Sequence, residues 1–337
     1  MKYSINTMAH ELDCLAPDFI ILRDQLVDAA TGVVRGWPDL DEVLVLGAGD
    51  SHHAALACGL AFGETPGLSY RALSARDFIG YGAHQAGQTR ARLVIGVSAS
   101  GGNPSAAEGL RLARAAGDRT LAVTLDSRSS TATAADDVLT ASLANLGLSP
   151  GIRTYQFSLI ALLAVAAAIA AARDPLAGRR VNLLSSGDLA AVIAEVRQTK
   201  DHSARELAES LYGISPLVFA GNGPALGTAK HAAAKVVEAS GIFAIGVDPE
   251  DWWHVHRFAT PTHSPLILIG SGRRSFDGAL PIWDRAAALG RPVVLITAGD
   301  NASELPEHLT PLVDHVTPTM LALHLARRSG RWPFEPL

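Results

Sequence analysis

An apolar strand, a glycine turn and the start of a helix occur twice in this chain, offset by 173 to 174 residues. The first copy reads Leu44-Val45-Leu46-Gly47-Ala48-Gly49-Asp50-Ser51 and the second Leu217-Val218-Phe219-Ala220-Gly221-Asn222-Gly223-Pro224. A second apolar run follows in each copy, Leu93 to Val97 ending at Ser98 and Leu266 to Gly270 ending at Ser271. A third, Leu121-Ala122-Val123-Thr124, matches Val294-Leu295-Ile296-Thr297. Three runs in phase point to two related α/β units. Glycines let the backbone approach a ligand and the following helix turns its free amides towards it, so each turn is a candidate anion site at a strand end.

A length of 337 residues leaves room for two domains of ~150 residues each. Composition changes sharply over Arg173-Asp174-Pro175-Leu176-Ala177-Gly178-Arg179-Arg180, which places the boundary there and gives domains 1–175 and 182–337. Apolar residues from Met8 to Val34 recur at helical spacing and predict a long first helix. Strands at 43–46, 68–72, 93–97 and 120–124 then alternate with helices at 51–62, 104–116 and 154–172, the rhythm of a parallel sheet. The second half is expected to open with one helix over 187–211. Strands near 217–220, 242–247, 265–270 and 293–297 follow, and a helix over 318–328 closes the chain.

Lys and Arg total 28 against 33 Asp and Glu, with no block of like charge, so nucleic acid is not an expected partner. The acidic first segment, with Glu11, Asp13 and Asp18, offers no basic recognition helix either. Cys14 and Cys58 have neither metal-type nor redox-type spacing, and a reducing cytoplasm is the expected compartment. The first residues show no apolar core with a small-residue cleavage site, so export is not expected. Phe157 to Ala172 is the one stretch apolar enough to suggest a membrane. It falls short of the ~20 residues that span a bilayer, and its alanines suit a helix packed inside a core.

The richest polar loop is Ser98-Ala99-Ser100-Gly101-Gly102-Asn103-Pro104-Ser105, between an apolar run and a helix with Pro104 in its first position. A single Ser or Asn would suffice to cap that helix. The surplus of hydroxyls and amides points to a bound dianion, although no Arg or Lys stands in the loop. Gly49 and Ser51 form a second candidate turn. A nucleotide is disfavoured, because the third glycine of the dinucleotide fingerprint and any Gly-Lys-Ser/Thr are missing. In the second half Lys235 and Glu238, at i, i+3, read on their own as a solvent-facing ion pair. Asp248-Pro249 begins a capped helix that would put Trp252 and His256 on one face. His254 with His256 resembles a metal pair, but third and fourth ligands lack a suitable spacing, and no metal is expected.

Gly47-x-Gly49-x-Ser51, Ser98-x-Ser100-Gly101, Ser129-Ser130 ahead of Ala135-Asp136, and the duplication itself resemble the sugar isomerase (SIS) domain family. The similarity is to its members with two tandem domains: the isomerase half of glucosamine-6-phosphate synthase, fructosamine-type deglycases and ketose/aldose isomerases. It implies an α/β fold of two tandem SIS domains, each a five-stranded parallel sheet flanked by helices in a flavodoxin-like three-layer arrangement, in a homodimer. Lys235-Val236-Val237-Glu238-Ala239-Ser240 is similar to the family's Lys-x-x-Glu-x-Ser segment, whose Glu is the general base. His254, sixteen residues beyond Glu238, matches the family's ring-opening histidine. The sequence departs from the synthase where Gly101-Gly102-Asn103-Pro104 replaces Gly-Glu-Thr, where Gly147 to Gly151 precede Thr154-Tyr155 without its Glu and Lys, and where His254-Val255-His256 replaces His-Gly-Pro. Its lysine-bearing tail is here Arg331-Trp332-Pro333-Phe334-Glu335-Pro336-Leu337.

The resemblance implies a phosphosugar aldose/ketose or amino-sugar phosphate isomerase that uses no metal or organic cofactor. Gly49, Ser51, Ser98, Ser100, Gly101 and Asn103 would bind the phosphate, and Glu238, Lys235 and His254 would form the catalytic set. Such a reaction needs a base that takes a proton from one sugar carbon and returns it to the next, which a carboxylate can do. Deglycation or deamination of an amine-linked sugar phosphate, and non-catalytic sensing of a sugar phosphate, are the alternatives. Amine transfer from glutamine is not expected without a glutaminase domain or a cysteine at position 2.

Overall fold

Strands buried on both faces must be covered by helices on both sides, and this is the condition under which parallel sheets form. The run Arg92–Val97 is buried at every residue, and Glu42–Gly47 at every residue but its first. In a computed structural model both belong to a parallel sheet. The structure describes residues 3–37, 39–82, 91–174, 176, 178, 189–299, 302 and 304–335. Within the expected boundary stretch, residues 175, 177, 179 and 180 lie outside that set, as do Gly187 and Asp188 at the expected start of the next helix.

The chain forms two units. One comprises Asp18–Ala144 with Thr154–Gly187, and the other Met1–Pro17, Asn145–Arg153 and Asp188–Leu337. In the first, β1 (Glu42–Gly47), α2 (Asp50–Gly63), β2 (Ser69–Ser74), β3 (Arg92–Val97), α3 (Pro104–Ala115), β4 (Arg119–Val123) and β5 (Asp137–Leu139) follow the helix α1 (Ile5–Val34). The five strands are parallel in the order β2-β1-β3-β4-β5. Helix α4 (Ile152–Arg173) has 22 residues, more than the sequence pattern suggests. It is long and apolar enough to cross a membrane, yet 83% of its most apolar window is buried inside the protein, in keeping with a core helix.

In the second unit α5 (Leu189–Thr199) and α6 (Asp201–Leu211) replace the single helix expected over 187–211. The break falls at Lys200, and Asp201 restarts the helix with its carboxylate 2.9 Å from Arg197 and 3.2 Å from His324. There follow β6 (Leu217–Ala220), α7 (Pro224–Ser240), β7 (Ala244–Val247), α8 (Pro249–His254), β8 (Leu266–Ile269), α9 (Arg273–Ala288), β9 (Val293–Ile296), α10 (Pro311–Asp314) and α11 (Val316–Ser329). The sheet has four strands among the described residues, parallel and ordered β7-β6-β8-β9, against the five expected. Residues 174 beyond β5 are Pro311 to Val313, and there a proline in the first helical turn starts α10 instead of a strand.

The two sheets share strand order, and also the backbone of the first turn. Gly49 precedes α2 at φ 54°, ψ −129°, and Gly223 precedes α7 at φ 55°, ψ −132°. The phase of the sequence repeat does not carry through the pairing. Leu44 pairs with Arg71 and Leu217 with Ala244, both shifted by 173, but Val45 pairs with Ile95, 50 residues on, and Val218 with Leu266, 48 residues on. A slip of two residues keeps each side chain on its original face, so the apolar pattern alone does not reveal it.

Candidate functional site

Because β1 is flanked by β2 on one side and β3 on the other, the turns after β1 and β3 meet at the point where strand order reverses. In open α/β sheets ligands collect outside the strand ends at that point. The Gly47–Ser51 turn and the Ser98–Asn103 loop both lie there. Gly49 is exposed and supplies the left-handed residue before α2, and Ser51 is half-buried in that helix's first turn. In the loop, Ser98 is buried: its N–H donates to the Val123 carbonyl and its Oγ accepts from the Asn103 N–H at 3.4 Å. The Asn103 side chain caps α3 by accepting from the amides of Ser105 at 3.0 Å and Ala106 at 3.3 Å. Gly101 bends the loop at φ 69°, and its carbonyl accepts from Ser130 Oγ, Thr131 Oγ1 and the Thr131 N–H. A Cβ there would lie 2.1 Å from the Ser129 side chain. Ser98, Gly101 and Asn103 therefore shape the loop, while Ser100 and Gly102 are the exposed members at its tip.

The corresponding strand ends of the second sheet are filled by the chain's own carboxylates. Glu307 Oε1 accepts from the Ser275 N–H at 2.8 Å and the Ser275 hydroxyl at 2.9 Å, in the first turn of α9, and Oε2 accepts from Arg274 at 2.7 Å. Burial by itself would raise the Glu307 carboxyl, but the bonds from Arg274 and Ser275 outweigh it and hold it below the usual range. Gly272 makes room, since a Cβ there would come within 2.4 Å of Glu307. Asp314 takes the other donors, the Ser271 hydroxyl at 2.5 Å and the Ser271 N–H at 3.2 Å. Complete burial pushes its carboxyl up to about 6, against the hydrogen bonds from Ser271 and Thr310 that pull it down. Neither carboxylate carries a local sequence signal, because the partners lie 32 and 43 residues away.

Helix α7 is rich in alanine and buried along most of its length. Four of its polar side chains, Thr228, His231, Lys235 and Glu238, are spaced by three, four and three residues, which puts them in one stripe. Lys235 is 1% exposed, so the solvent-facing pair that the spacing suggests in isolation is not what forms. Its ammonium donates to the Glu238 carboxylate and to the Pro150 carbonyl. The loop bearing Pro150 is fixed in turn by Glu11, which accepts from Ser149 Oγ at 2.6 Å and from the Ile152 N–H at 3.2 Å. One turn earlier the His231 ring meets His315 edge-on, with centroids 5.9 Å apart. Lys235 and Glu238 are thus brought together. The Glu238 side chain is 27% exposed.

His254 is placed differently. Asp248 caps α8, accepting from the Glu250 N–H at 2.8 Å, with Pro249 in the first position as its sequence predicts. The helix ends at His254, so Trp252 and His256 do not share a helical face. Trp252 is 1% exposed and belongs to the core with Val218, Leu266 and Ile282. The His254 side chain is 68% exposed, and its bond is to Glu250 at 3.2 Å rather than to Glu238. No group of three His, Cys, Asp or Glu able to hold a metal occurs among the described residues.

Residues 39–168 match the SIS domain family model. The chain is 27% identical over 260 residues to glutamine–fructose-6-phosphate aminotransferase (isomerizing) of Thermococcus kodakarensis. That alignment takes in 72% of this chain and 42% of the relative, so the chain spans less than half of the curated relative's length. The C-terminal domain of glucosamine-fructose-6-phosphate aminotransferase from Francisella tularensis superposes with a TM-score of 0.78 at 15% identity, covering 98% of both chains. Tagatose-6-phosphate ketose/aldose isomerase from Escherichia coli gives 0.71 at 14% identity, covering 99% of this chain and 96% of the other. At such identities the likeness is one of fold.

Proposed function

We propose that the protein is a phosphosugar isomerase, acting on an aldose/ketose or amino-sugar phosphate, with Glu238 as the base that moves a proton between C2 and C1. The observation that carries this reading is the buried Lys235 holding the Glu238 carboxylate on a largely buried, alanine-rich helix. A buried ammonium is costly unless it is paired, and the pairing holds the carboxylate in one direction, as a carbon base must be held. The phosphate is assigned to the turns after β1 and β3, where Ser51 and the exposed Ser100, whose hydroxyl oxygen accepts from the Gly102 N–H at 3.4 Å and keeps its own proton to donate, stand at a strand-order reversal. The matching donors of the second sheet are already taken by Glu307 and Asp314, which supports one phosphate site per chain. His254, exposed at the end of α8, is assigned to ring opening in a homodimer, and the chemistry is proposed to need no metal or organic cofactor.

Incubation with sugar phosphates in heavy water tests the assignment. Wild-type protein should place solvent deuterium on C1 or C2 of the recovered sugar. Glu238→Gln should bind the same sugar and leave it unlabelled, because the amide cannot take up the proton. Full labelling by a folded Glu238→Gln protein would remove Glu238 from the mechanism.

A further inference from the structure

Phe334 is the one non-glycine residue with positive φ, 60°, among the described residues. A bulky side chain rarely adopts this conformation, and it persists only where the surroundings enforce it. What enforces it here is contact with the helix that carries Glu238. The last four carbonyls of a helix have no partner within it. In α7 the Val237 carbonyl accepts from the N–H of Gly241, in the left-handed conformation that ends the helix, and the Glu238 carbonyl accepts from the N–H of Phe334 at 2.7 Å. The main chain of the proposed base is therefore bonded to a segment far away in sequence.

That segment is itself tied down. The Phe334 ring lies against Tyr3 with centroids 4.4 Å apart. Arg331 donates to the Glu335 carbonyl at 2.5 Å and stands 3.8 Å from the Glu335 carboxylate. Its guanidinium packs over Gly241, where a Cβ would come within 3.0 Å of Nε. Residues 331–335 thus form a closed turn laid across the end of α7.

We propose that this turn is a strap that holds the last turn of α7, and that Phe334 is a positioning residue for Glu238 through its main-chain N–H. The inference rests on the reading of Glu238 as the base. Loss of the strap would free the final helical turn to fray, and the carboxylate would no longer be held in one direction. The strap places the requirement at 334 on backbone conformation; an apolar anchor would place it on side-chain bulk.

Two substitutions separate these possibilities. Phe334→Gly loses the ring but adopts positive φ freely and retains the N–H. Phe334→Val keeps apolar volume, but its branched Cβ opposes the left-handed conformation. Deuterium incorporation into fructose 6-phosphate, glucose 6-phosphate and glucosamine 6-phosphate gives kcat and KM, and amide hydrogen exchange reports protection at Gly241 and Ile242. The glycine variant should stay within about threefold of wild-type kcat with these amides protected. The valine variant should lose about tenfold in kcat, with KM changed by less than about twofold and protection reduced. A valine variant with wild-type turnover and protection, or a glycine variant as impaired as the valine one, overturns the strap. So does loss of protection without loss of turnover. Glu238→Gln run alongside keeps the two ideas apart: if it still labels the sugar, the base assignment fails, and amide protection in the 334 pair judges the strap. Protection decides in the same way if none of the three sugars is labelled.

Discussion

Replacing Asp314 by asparagine should change how the stability of the four-stranded unit depends on pH. The Asp314 carboxyl is completely buried, and burial pushes it from 3.8 to about 6 in spite of the bonds it accepts from Ser271 and Thr310. A carboxyl raised on folding stabilises most when both states are protonated, and that contribution is lost as pH climbs from the unfolded value through the folded one. The difference of 6 − 3.8, about 2 units, corresponds to about 3 kcal/mol at 1.36 kcal/mol per unit. Wild-type protein should therefore lose about 3 kcal/mol relative to Asp314→Asn between about pH 4 and about pH 7, because asparagine stays neutral throughout. Urea unfolding followed by tryptophan fluorescence suits the measurement, since Trp252, Trp253, Trp283 and Trp332 all lie in this unit and only Trp37 in the other. Comparing the two proteins at each pH cancels the titration of the other carboxylates. A difference that does not vary with pH, or that grows in favour of aspartate as pH rises, would refute the argument from burial.

Glu307 should show the opposite sign: its lowered carboxyl contributes stability above the unfolded value that disappears as pH falls through the folded one, so Glu307→Gln should be less stable at neutral pH and less sensitive to acid in the same urea titration. Ser100→Ala removes an exposed donor from the loop tip and should weaken phosphosugar binding by about 1.5 to 3 kcal/mol, read by calorimetry. If His254 completes the site of a second copy, inactive Glu238→Gln and His254→Ala chains should regain part of the activity when unfolded and refolded together. Mixed dimers without activity would return His254 to the same chain's site or remove it from catalysis.

The features legible in the amino-acid order are those set by neighbours along the chain. Apolar runs buried on both faces mark β1, β3 and β6, Asn103 before Pro104 and Asp248 before Pro249 mark helix starts, and Gly49 and Gly223 mark turns that need positive φ. Each rests on sterics or hydrogen bonds within a few residues, which periodicity and capping patterns record directly. Spacing likewise put Lys235 and Glu238 on one side of a helix, but on its own it turned that side to water, and the 1% exposure of Lys235 overturns this, because alanine-rich α7 does not mark its buried side in the sequence. Only tertiary packing buried Lys235 against Pro150, shifted the pairing of β8 by two residues, and laid Phe334 on the end of α7. It also set Glu307 and Asp314 on the donors of Ser275 and Ser271. These are meetings between residues tens of positions apart, and what decides them is which surfaces the packed chain brings within hydrogen-bond reach, a quantity that no local pattern contains.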